Sequence, residues 1–292
     1  MNSNKILGAI FLSISASIWG GMFVVVKVVV EYIPPVELVW LRYLIALFFL
    51  VIFGLIRGIK WRIARQDLFL IFLIGLIGNT ISIVTQETGT WLSSAQLGAV
   101  ITSATPTFMI VFAWLLLKER ITSVKIISII MATLGVIMIV GIHITGNHGL
   151  LGVLSLVVAA LTWALMSVLI KKVSGKYDSL QITIYATFVA IVCLTPFVIN
   201  NFSVFNNIHF TDSKIIFSLL YLGIVSTAVG FVMWNKGLQL MNAGSSGLFF
   251  LFQPIVGTLL SWLVLGEGIS WGFFLGTVLI LGSVWLTIRF VD

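Results

Sequence analysis

The chain carries GAIFLSISASIWGGMFVVVK at residues 8–27 and GVLSLVVAALTWALMSVLIK at residues 152–171. Each stretch is apolar over about 20 residues, the length that a helix needs to cross the hydrocarbon core of a bilayer. Aligned end to end, the two stretches pair Trp19 with Trp163, Met22 with Met166 and Lys27 with Lys171. Because Trp and Lys are rare among the apolar residues of a span, this shared register indicates an internal repeat.

A second pair of stretches extends the repeat along the chain. The register pairs Pro106 with Pro254, Trp114 with Trp262 and Glu119 with Glu267. Each copy contains five predicted helices, an odd number, so the second copy enters the membrane from the opposite side. The pattern therefore predicts two inverted five-helix repeats, residues 1–147 and 148–292, the architecture of many secondary transporters.

The composition places nearly the whole chain in the membrane. Of its 292 residues, 60% are apolar and 9% are charged, with a mean hydropathy of +1.19. Soluble domains carry about 25% charged residues, so a soluble globule is excluded. Continuous spans of this length also exclude a membrane β-barrel. We predict an all-α integral membrane protein with ten transmembrane helices, at roughly 6–26, 36–56, 68–90, 94–117, 124–142, 149–170, 179–199, 214–235, 244–265 and 270–290.

The distribution of basic residues predicts the orientation. With the N-terminus inside, all of the 16 lysines and arginines except Lys27, Arg42 and Lys214 fall on the cytoplasmic side. We therefore expect a multi-pass protein of the cell inner (plasma) membrane, with both termini in the cytoplasm. A cleaved signal peptide is the alternative for the first span, but its apolar run continues to Val30 and the repeat needs this helix.

The net charge, the single cysteine and the histidines do not indicate a nucleic-acid, metal or cofactor partner. The net charge of +7 fits basic cytoplasmic loops, and no basic, aromatic-interleaved stretch is present to bind nucleic acid. The single cysteine, Cys193, lies in an apolar run, so we expect a packing role. His143, His148 and His209 are too scattered for a metal site, and we predict neither a metal nor a cofactor.

Several short motifs resemble the EamA-type drug/metabolite transporter superfamily. They are Ile18-Trp19-Gly20-Gly21, Leu41-Arg42-Tyr43, Lys118-Glu119-Arg120-Ile121-Thr122 and, in the second half, Pro254 followed by Leu265-Gly266-Glu267. The resemblance covers the whole chain and implies a ten-helix exporter or exchanger of small metabolites, with helices 1, 3, 4, 6, 8 and 9 around a central cavity. The halves differ at Arg42, whose counterpart is Ala186.

Polar and aromatic residues at membrane depth are the candidate site residues. The predicted substrate-binding residues are Trp19, Met22, Asn79, Ser82, Gln86, Thr102, Trp163, Met166, Thr227, Phe231, Trp234, Phe250 and Gln253. For the polar stripe on the third helix, hydrogen bonding between helices is an equally open reading. For the tryptophans the alternative is core packing. Pro106 and Pro254 predict bends in helices 4 and 9.

Only a few residues could couple transport to the movement of an ion. Glu87 is the candidate, although an interfacial carboxylate paired with Lys27 or Arg42 is the favoured alternative. Glu119 and Glu267 end helices 4 and 9, where capping or loop contacts are expected. No aspartate lies deep in a span, and no lysine or arginine is clearly deep.

These features predict a secondary transporter of small organic metabolites, such as amino acids, amines or related amphipathic solutes. Export or exchange by alternating access fits the inverted repeat. Nucleotide-sugar or sugar-phosphate transport is the alternative, although it should need several basic cavity residues. A membrane-embedded enzyme fits poorly, since the chain lacks paired intramembrane catalytic groups, and the inverted repeat argues against a channel. The expected partners are a small-molecule substrate and the lipid bilayer, and Gly272-x-x-x-Gly276 predicts close helix packing in a monomer or weak homodimer.

Overall fold

A computed structural model of the chain describes residues 3–93, 95–140, 149–265 and 271–290. Within these ranges the regular structure is helical, with no strand. Seven described helices are long and apolar enough to cross a membrane: Ser3–Val29, Pro35–Ile56, Arg65–Leu92, Leu150–Val173, Ser179–Asn200, Ser213–Leu240 and Ala243–Leu260. Shorter apolar helices at Thr105–Leu117, Ser123–Gly135 and Trp271–Leu286 lie where the other three spans are predicted. The predicted all-α membrane fold is confirmed.

We number the helical segments 1 to 10 in chain order, to match the predicted spans. Segments 1 to 5 are Ser3–Val29, Pro35–Ile56, Arg65–Leu92, the pair Ala95–Thr102 and Thr105–Leu117, and Ser123–Val140. Segments 6 to 8 are Gly149–Val173, Ser179–Asn200 and Ser213–Leu240. Segment 9 comprises Ala243–Ser246, the 3₁₀ turn Gly247–Leu251 and Phe252–Leu265, and segment 10 is Trp271–Phe290. A 3₁₀ turn, Phe202–Asn207, lies between segments 7 and 8.

The beginnings of three segments follow from local chemistry. Segment 2 starts with Pro35, whose missing N–H costs nothing in the first turn of a helix. Segments 7 and 8 start after Asp178 and Asp212, each of which accepts a hydrogen bond of 2.8 Å from the backbone N–H two residues on. These side chains satisfy amides that a helix start leaves unpaired.

The packing of the segments follows a pseudo-two-fold pattern. Segment 1 packs against segments 8 and 9, and its repeat counterpart, segment 6, packs against segments 3 and 4. Segment 2 packs against segment 7, and segment 5 against segment 10. The contacts of segment 1 in the first half are therefore repeated by those of segment 6 in the second half. Segments 2 and 7 are counterparts of each other, as are segments 5 and 10. The predicted boundary between residues 147 and 148 lies outside the described residues.

Segments 3 and 8 contain π-helical turns at equivalent places, Ile74–Ser82 and Tyr221–Val229. In each turn a threonine Oγ1 donates to the carbonyl five residues earlier, Thr80 to Gly75 at 3.0 Å and Thr227 to Leu222 at 2.7 Å. π-Helical turns are rare in proteins as a whole, and those that do occur are often found at functional sites. Their presence in both repeats marks the middle of these two segments.

Segments 4 and 9 are also irregular at matching depths. The first helix of segment 4 ends at Thr102 and the second begins at Thr105, directly before Pro106. In segment 9 the 3₁₀ turn Gly247–Leu251 precedes Pro254. The irregular turns therefore lie beside the two prolines at which the sequence predicts bends.

The outer surface is apolar and the segment contacts are close. Phe69, Leu150 and Trp271 are among the many large apolar side chains that are exposed, as a lipid-facing surface requires. Between segments 5 and 10, a Cβ on Gly135 would lie 2.7 Å from the carbonyl oxygen of Gly276. Gly276, which the sequence marks for close packing, is therefore used inside the chain.

Two lysines fix the ends of neighbouring segments. Lys27 Nζ donates to the carbonyls of Thr90, Trp91 and Ser93 at the end of segment 3, at 3.4, 3.3 and 3.0 Å. Lys171 Nζ donates to the carbonyls of Leu238, Gln239 and Met241 at the end of segment 8, at 2.7, 3.4 and 2.6 Å. The last carbonyls of a helix have no partner within it, so both lysines act as caps at equivalent positions of the two repeats.

Candidate functional site

A small chamber lies among segments 1, 3, 6, 8 and 9. Its walls are formed by Trp19, Met22, Ile83, Gln86, Trp163, Phe231, Phe250 and Gln253. Its cavity volume is about 10 Å³, far below the range of about 300–1,000 Å³ that is typical of ligand sites. The chamber is therefore closed in this state, with room for about one water molecule at most, and any organic solute needs the wall to move.

Aromatic rings dominate the wall. The rings of Trp19 and Trp163 meet edge to face with centroids 5.2 Å apart, so the two repeat counterparts touch across the pseudo-two-fold. Phe250 stacks on Trp19 at 5.6 Å, and Phe231 lies 5.2 Å from Trp163. Trp19 Nε1 donates to the carbonyl of Ser226 at 3.0 Å. Trp163 Nε1 is buried without a hydrogen-bond partner, so it is a donor available to a ligand.

Two amides supply the polar part of the wall. Gln86 comes from segment 3 and Gln253 from segment 9. Thr102 Oγ1 lies 3.3 Å from Gln253 Oε1 and 2.7 Å from the carbonyl of Gly98. Thr102 thus stands behind Gln253, where it orients the amide, and does not belong to the wall itself.

The other predicted site residues lie outside the wall. Trp234 is fully buried behind Phe250 and donates to Ser167 Oγ at 3.3 Å. Met166 fills the space beside Gly78, where an added Cβ would lie 2.1 Å from the Met166 Cγ.

Two of the three polar residues on segment 3 make contacts between segments. Ser82 Oγ donates to the carbonyl of Ala159 on segment 6 at 2.8 Å. Asn79 Nδ2 lies 3.4 Å from Thr187 Oγ1 on segment 7. These residues correspond to the alternative reading of the stripe, and Gln86 alone of the three lines the chamber.

A buried ion pair lies beside the chamber. Arg42 Nη1 donates to Glu87 Oε1, and neither side chain has any exposed surface. Arg42 Nε donates to Thr227 Oγ1 at 2.9 Å and Arg42 Nη2 donates to Ser226 Oγ at 3.0 Å. The Met22 Sδ is 3.6 Å from Nη2. Glu87 Oε2 is buried and has no hydrogen-bond partner.

This pair corrects the expectation that no arginine is clearly deep. A hydropathy pattern shows that Arg42 belongs to a span, but only the packing of segments 2, 3 and 8 turns its guanidinium inward. Of the two partners considered for Glu87, the structure selects Arg42, while Lys27 caps segment 3. The Leu41-Arg42-Tyr43 motif was the available signal, since a charge within a span marks function by default.

At the opposite end of the bundle a carboxylate joins the two repeats. Glu119 Oε1 accepts from the backbone N–H of Ala243 at 2.9 Å, and Oε2 accepts from that of Gly244 at 3.2 Å. Lys125 Nζ lies 3.4 Å from Oε2. Glu119 thus caps the start of segment 9, as its sequence position indicated. Its counterpart Glu267 lies outside the described residues, as do His143 and His148.

Metal binding finds little support in the described ranges, where no group of three His, Cys, Asp or Glu side chains is placed to hold an ion. The chamber is the candidate binding site. It offers ring faces, two amides and one unpaired indole N–H.

Comparison with known proteins shows what the chain is similar to. The model of the EamA-like transporter family matches residues 6–141 and 150–289. A protein of Archaeoglobus fulgidus named as an uncharacterized transporter is 29% identical over 281 residues, covering 96% of this chain and 98% of its own. A probable amino-acid metabolite efflux pump of Escherichia coli is 26% identical over 283 residues, covering 93% and 91%. One crystal structure, at 16% identity, aligns with a TM-score of 0.78 over 100% of this chain and 99% of that one, which shows a shared fold.

Proposed function

Because the chain belongs to the EamA-like transporter family, we propose that it is a secondary transporter that moves amino acids, amines or related amphipathic solutes by alternating access. The observation that carries this proposal is the chamber in which Trp19 and Trp163 meet. A site shared by equivalent residues of two inverted repeats is accessible from either side when the repeats rock. Aromatic walls with a few amides suit a solute that has an apolar body and a polar end.

The ends of the bundle offer the contacts that such rocking has to break. Glu119 joins segment 4 of the first repeat to segment 9 of the second. By the repeat, Glu267 is its counterpart at the opposite end. We infer that the Glu119 contact closes the cytoplasmic side, with both termini on that side of an inner membrane. The relatives named as amino-acid metabolite efflux pumps support export as the direction.

Sugar-phosphate or nucleotide-sugar transport is the weaker candidate. A phosphate needs several cationic groups at the site, and the described wall residues include none. The nearby Arg42 is paired with Glu87, and a phosphate that took this arginine without supplying a cation would leave the buried Glu87 carboxylate unpaired.

Counterflow in proteoliposomes tests the proposal. Liposomes are loaded with one unlabelled amino acid or amine at a time, and entry of the labelled solute is followed with and without a pH gradient. Accumulation driven by internal solute alone supports an exchanger or facilitator, whereas movement only under the gradient supports proton coupling. No movement across a broad panel of amino acids and amines refutes the proposed substrate class.

Trp19→Ala and Trp163→Ala test the chamber itself. Each removes a ring from the wall and should lower counterflow at least about tenfold, since a well-packed aromatic side chain contributes more than about 1.4 kcal/mol. Trp285→Ala is the matched control, because Trp285 is 60% exposed on segment 10. Full transport by both chamber variants, with normal amounts of folded protein, would place the solute elsewhere.

A further inference from the structure

The ion pair of Arg42 and Glu87 lies one side chain away from the chamber. Met22 lines the chamber, and its sulfur contacts the Arg42 guanidinium at 3.6 Å. Gln86, which precedes Glu87 in the chain, lines the same chamber. A methionine side chain is unbranched and flexible. Met22 therefore separates a wall without charges from a buried pair of opposite charges, and its side chain is of a kind that can move aside.

The two members of the pair are held very differently. The guanidinium of Arg42 is fixed by Thr227 and Ser226, and Thr227 is itself anchored to the carbonyl of Leu222. The carboxylate of Glu87 accepts one hydrogen bond, from Arg42, and its second oxygen is buried without a donor. An unpaired buried carboxylate oxygen is costly. Arg42 is thus a preorganised donor, whereas Glu87 is an acceptor that lacks one donor.

The chemistry of this arrangement is complementary to an α-amino acid. A zwitterion inserted between the two side chains would place its carboxylate on Arg42 Nη1 and its ammonium on Glu87. Every buried charge would keep an opposite neighbour, which avoids the penalty of breaking a buried pair. The apolar side chain of the amino acid would extend past Met22 into the aromatic chamber.

We propose that Arg42 and Glu87 form the binding site for the head group of a zwitterionic α-amino acid, Arg42 for the carboxylate and Glu87 for the ammonium. In the described state Glu87 occupies the place of the substrate carboxylate. This assignment rests on the proposed transport function and specifies the solute that the chamber serves.

The test compares three probes with the same phenyl group. L-Phenylalanine has both charged groups, phenethylamine lacks the carboxylate and 3-phenylpropanoate lacks the ammonium. Initial rates of uptake into proteoliposomes give the half-saturating concentration of each. For the unmodified protein the value for L-phenylalanine should be lower than either other value by about 10-fold or more, because each lost group leaves a buried charge unpaired.

Two substitutions separate the roles of the pair. Glu87→Gln should bring L-phenylalanine and 3-phenylpropanoate to within about threefold of each other, since the ammonium loses its counter-charge. Arg42→Gln should do the same for L-phenylalanine and phenethylamine. Arg42→Lys keeps the buried charge for folding but loses the planar fork, so it should reduce the same ratio in part. Asp67→Asn, an acid-to-amide change in the Lys176 contact, is the matched control and should leave both ratios unchanged.

Other results would overturn the proposal. Equal reduction of all three probes by both variants would mean that the pair only holds segments 2, 3 and 8 together. Uptake of phenethylamine in preference to L-phenylalanine by the unmodified protein would refute the head-group site and leave the transport function standing. If these probes are not carried while another solute of the counterflow panel is, the head-group site alone is refuted. If no solute moves, both proposals fail.

Discussion

The contact of Glu119 with segment 9 allows a quantitative test of the closed end. Its carboxylate accepts two backbone hydrogen bonds, at 2.9 and 3.2 Å, and 16% of the side chain is exposed. Loss of a helix cap costs about 0.5–2 kcal/mol, and the negative charge at a helix start adds about 0.3–1 kcal/mol. Glu119→Ala should therefore destabilise the closed end by about 2 kcal/mol, which raises the open fraction about 30-fold.

Cysteine labelling measures this change directly. In a Cys193→Ser background, Ala113→Cys places a thiol at a fully buried position of segment 4 that packs against Ala243. The rate of reaction with a maleimide reports the open fraction. We expect about a 30-fold faster reaction after Glu119→Ala, and a smaller increase after Glu119→Gln, whose amide oxygen still accepts one N–H.

Two controls separate opening from unfolding. Glu31→Ala removes an exposed carboxylate between segments 1 and 2 and should not change the rate. Ala190→Cys reports a fully buried position of segment 7, which should stay protected. If the Ala113→Cys rate changes by less than about twofold, or if both reporters accelerate equally, the reasoning about the Glu119 contact is wrong.

Three further predictions concern stability in detergent, measured by reversible unfolding. Arg42→Gln leaves the buried Glu87 carboxylate without a cation and should cost about 3–5 kcal/mol; adding Glu87→Gln should recover at least half, and additive losses would show that the pair is not coupled. Gly78→Ala forces a Cβ to within 2.1 Å of the Met166 Cγ and should cost about 1–3 kcal/mol through overpacking, so an unchanged stability would contradict the described packing. Cys193→Ser, at a half-buried position, should change stability by at most about 0.5 kcal/mol, and a larger loss would indicate a role beyond packing.

The hydropathy pattern of the sequence was sufficient to predict where the helical segments lie along the chain. A lipid-facing helix has to be apolar over a fixed length, so hydropathy places the segments without knowledge of their neighbours. The alignment of Trp19 with Trp163 and of Pro106 with Pro254 can also be read from the sequence alone. The same register brought the two tryptophans together as counterparts, and they are in contact in the structure.

The directions in which the polar side chains of segment 3 point could not be predicted from the sequence. Asn79, Ser82 and Gln86 share one face of an ideal helix, but Asn79 and Ser82 lie within the π-helical turn Ile74–Ser82, whereas Gln86 lies in the α-helix that follows it. Segments 6 and 7 then take up the hydrogen bonds of Ser82 and Asn79, and Gln86 alone reaches the chamber. A periodicity of 3.6 residues cannot anticipate a turn of different pitch.

The sequence by itself determined the membrane class, and it predicted an inverted repeat with an aromatic pair at its centre, because each follows from composition or from residues compared at matching positions. The tertiary structure decided which polar groups meet. Arg42 and Glu87 belong to different segments, and only the packing of segments 2, 3 and 8 brings them together away from water. Inside a membrane protein a charge is tolerated only beside its partner, so the identity of that partner is a property of the packed bundle.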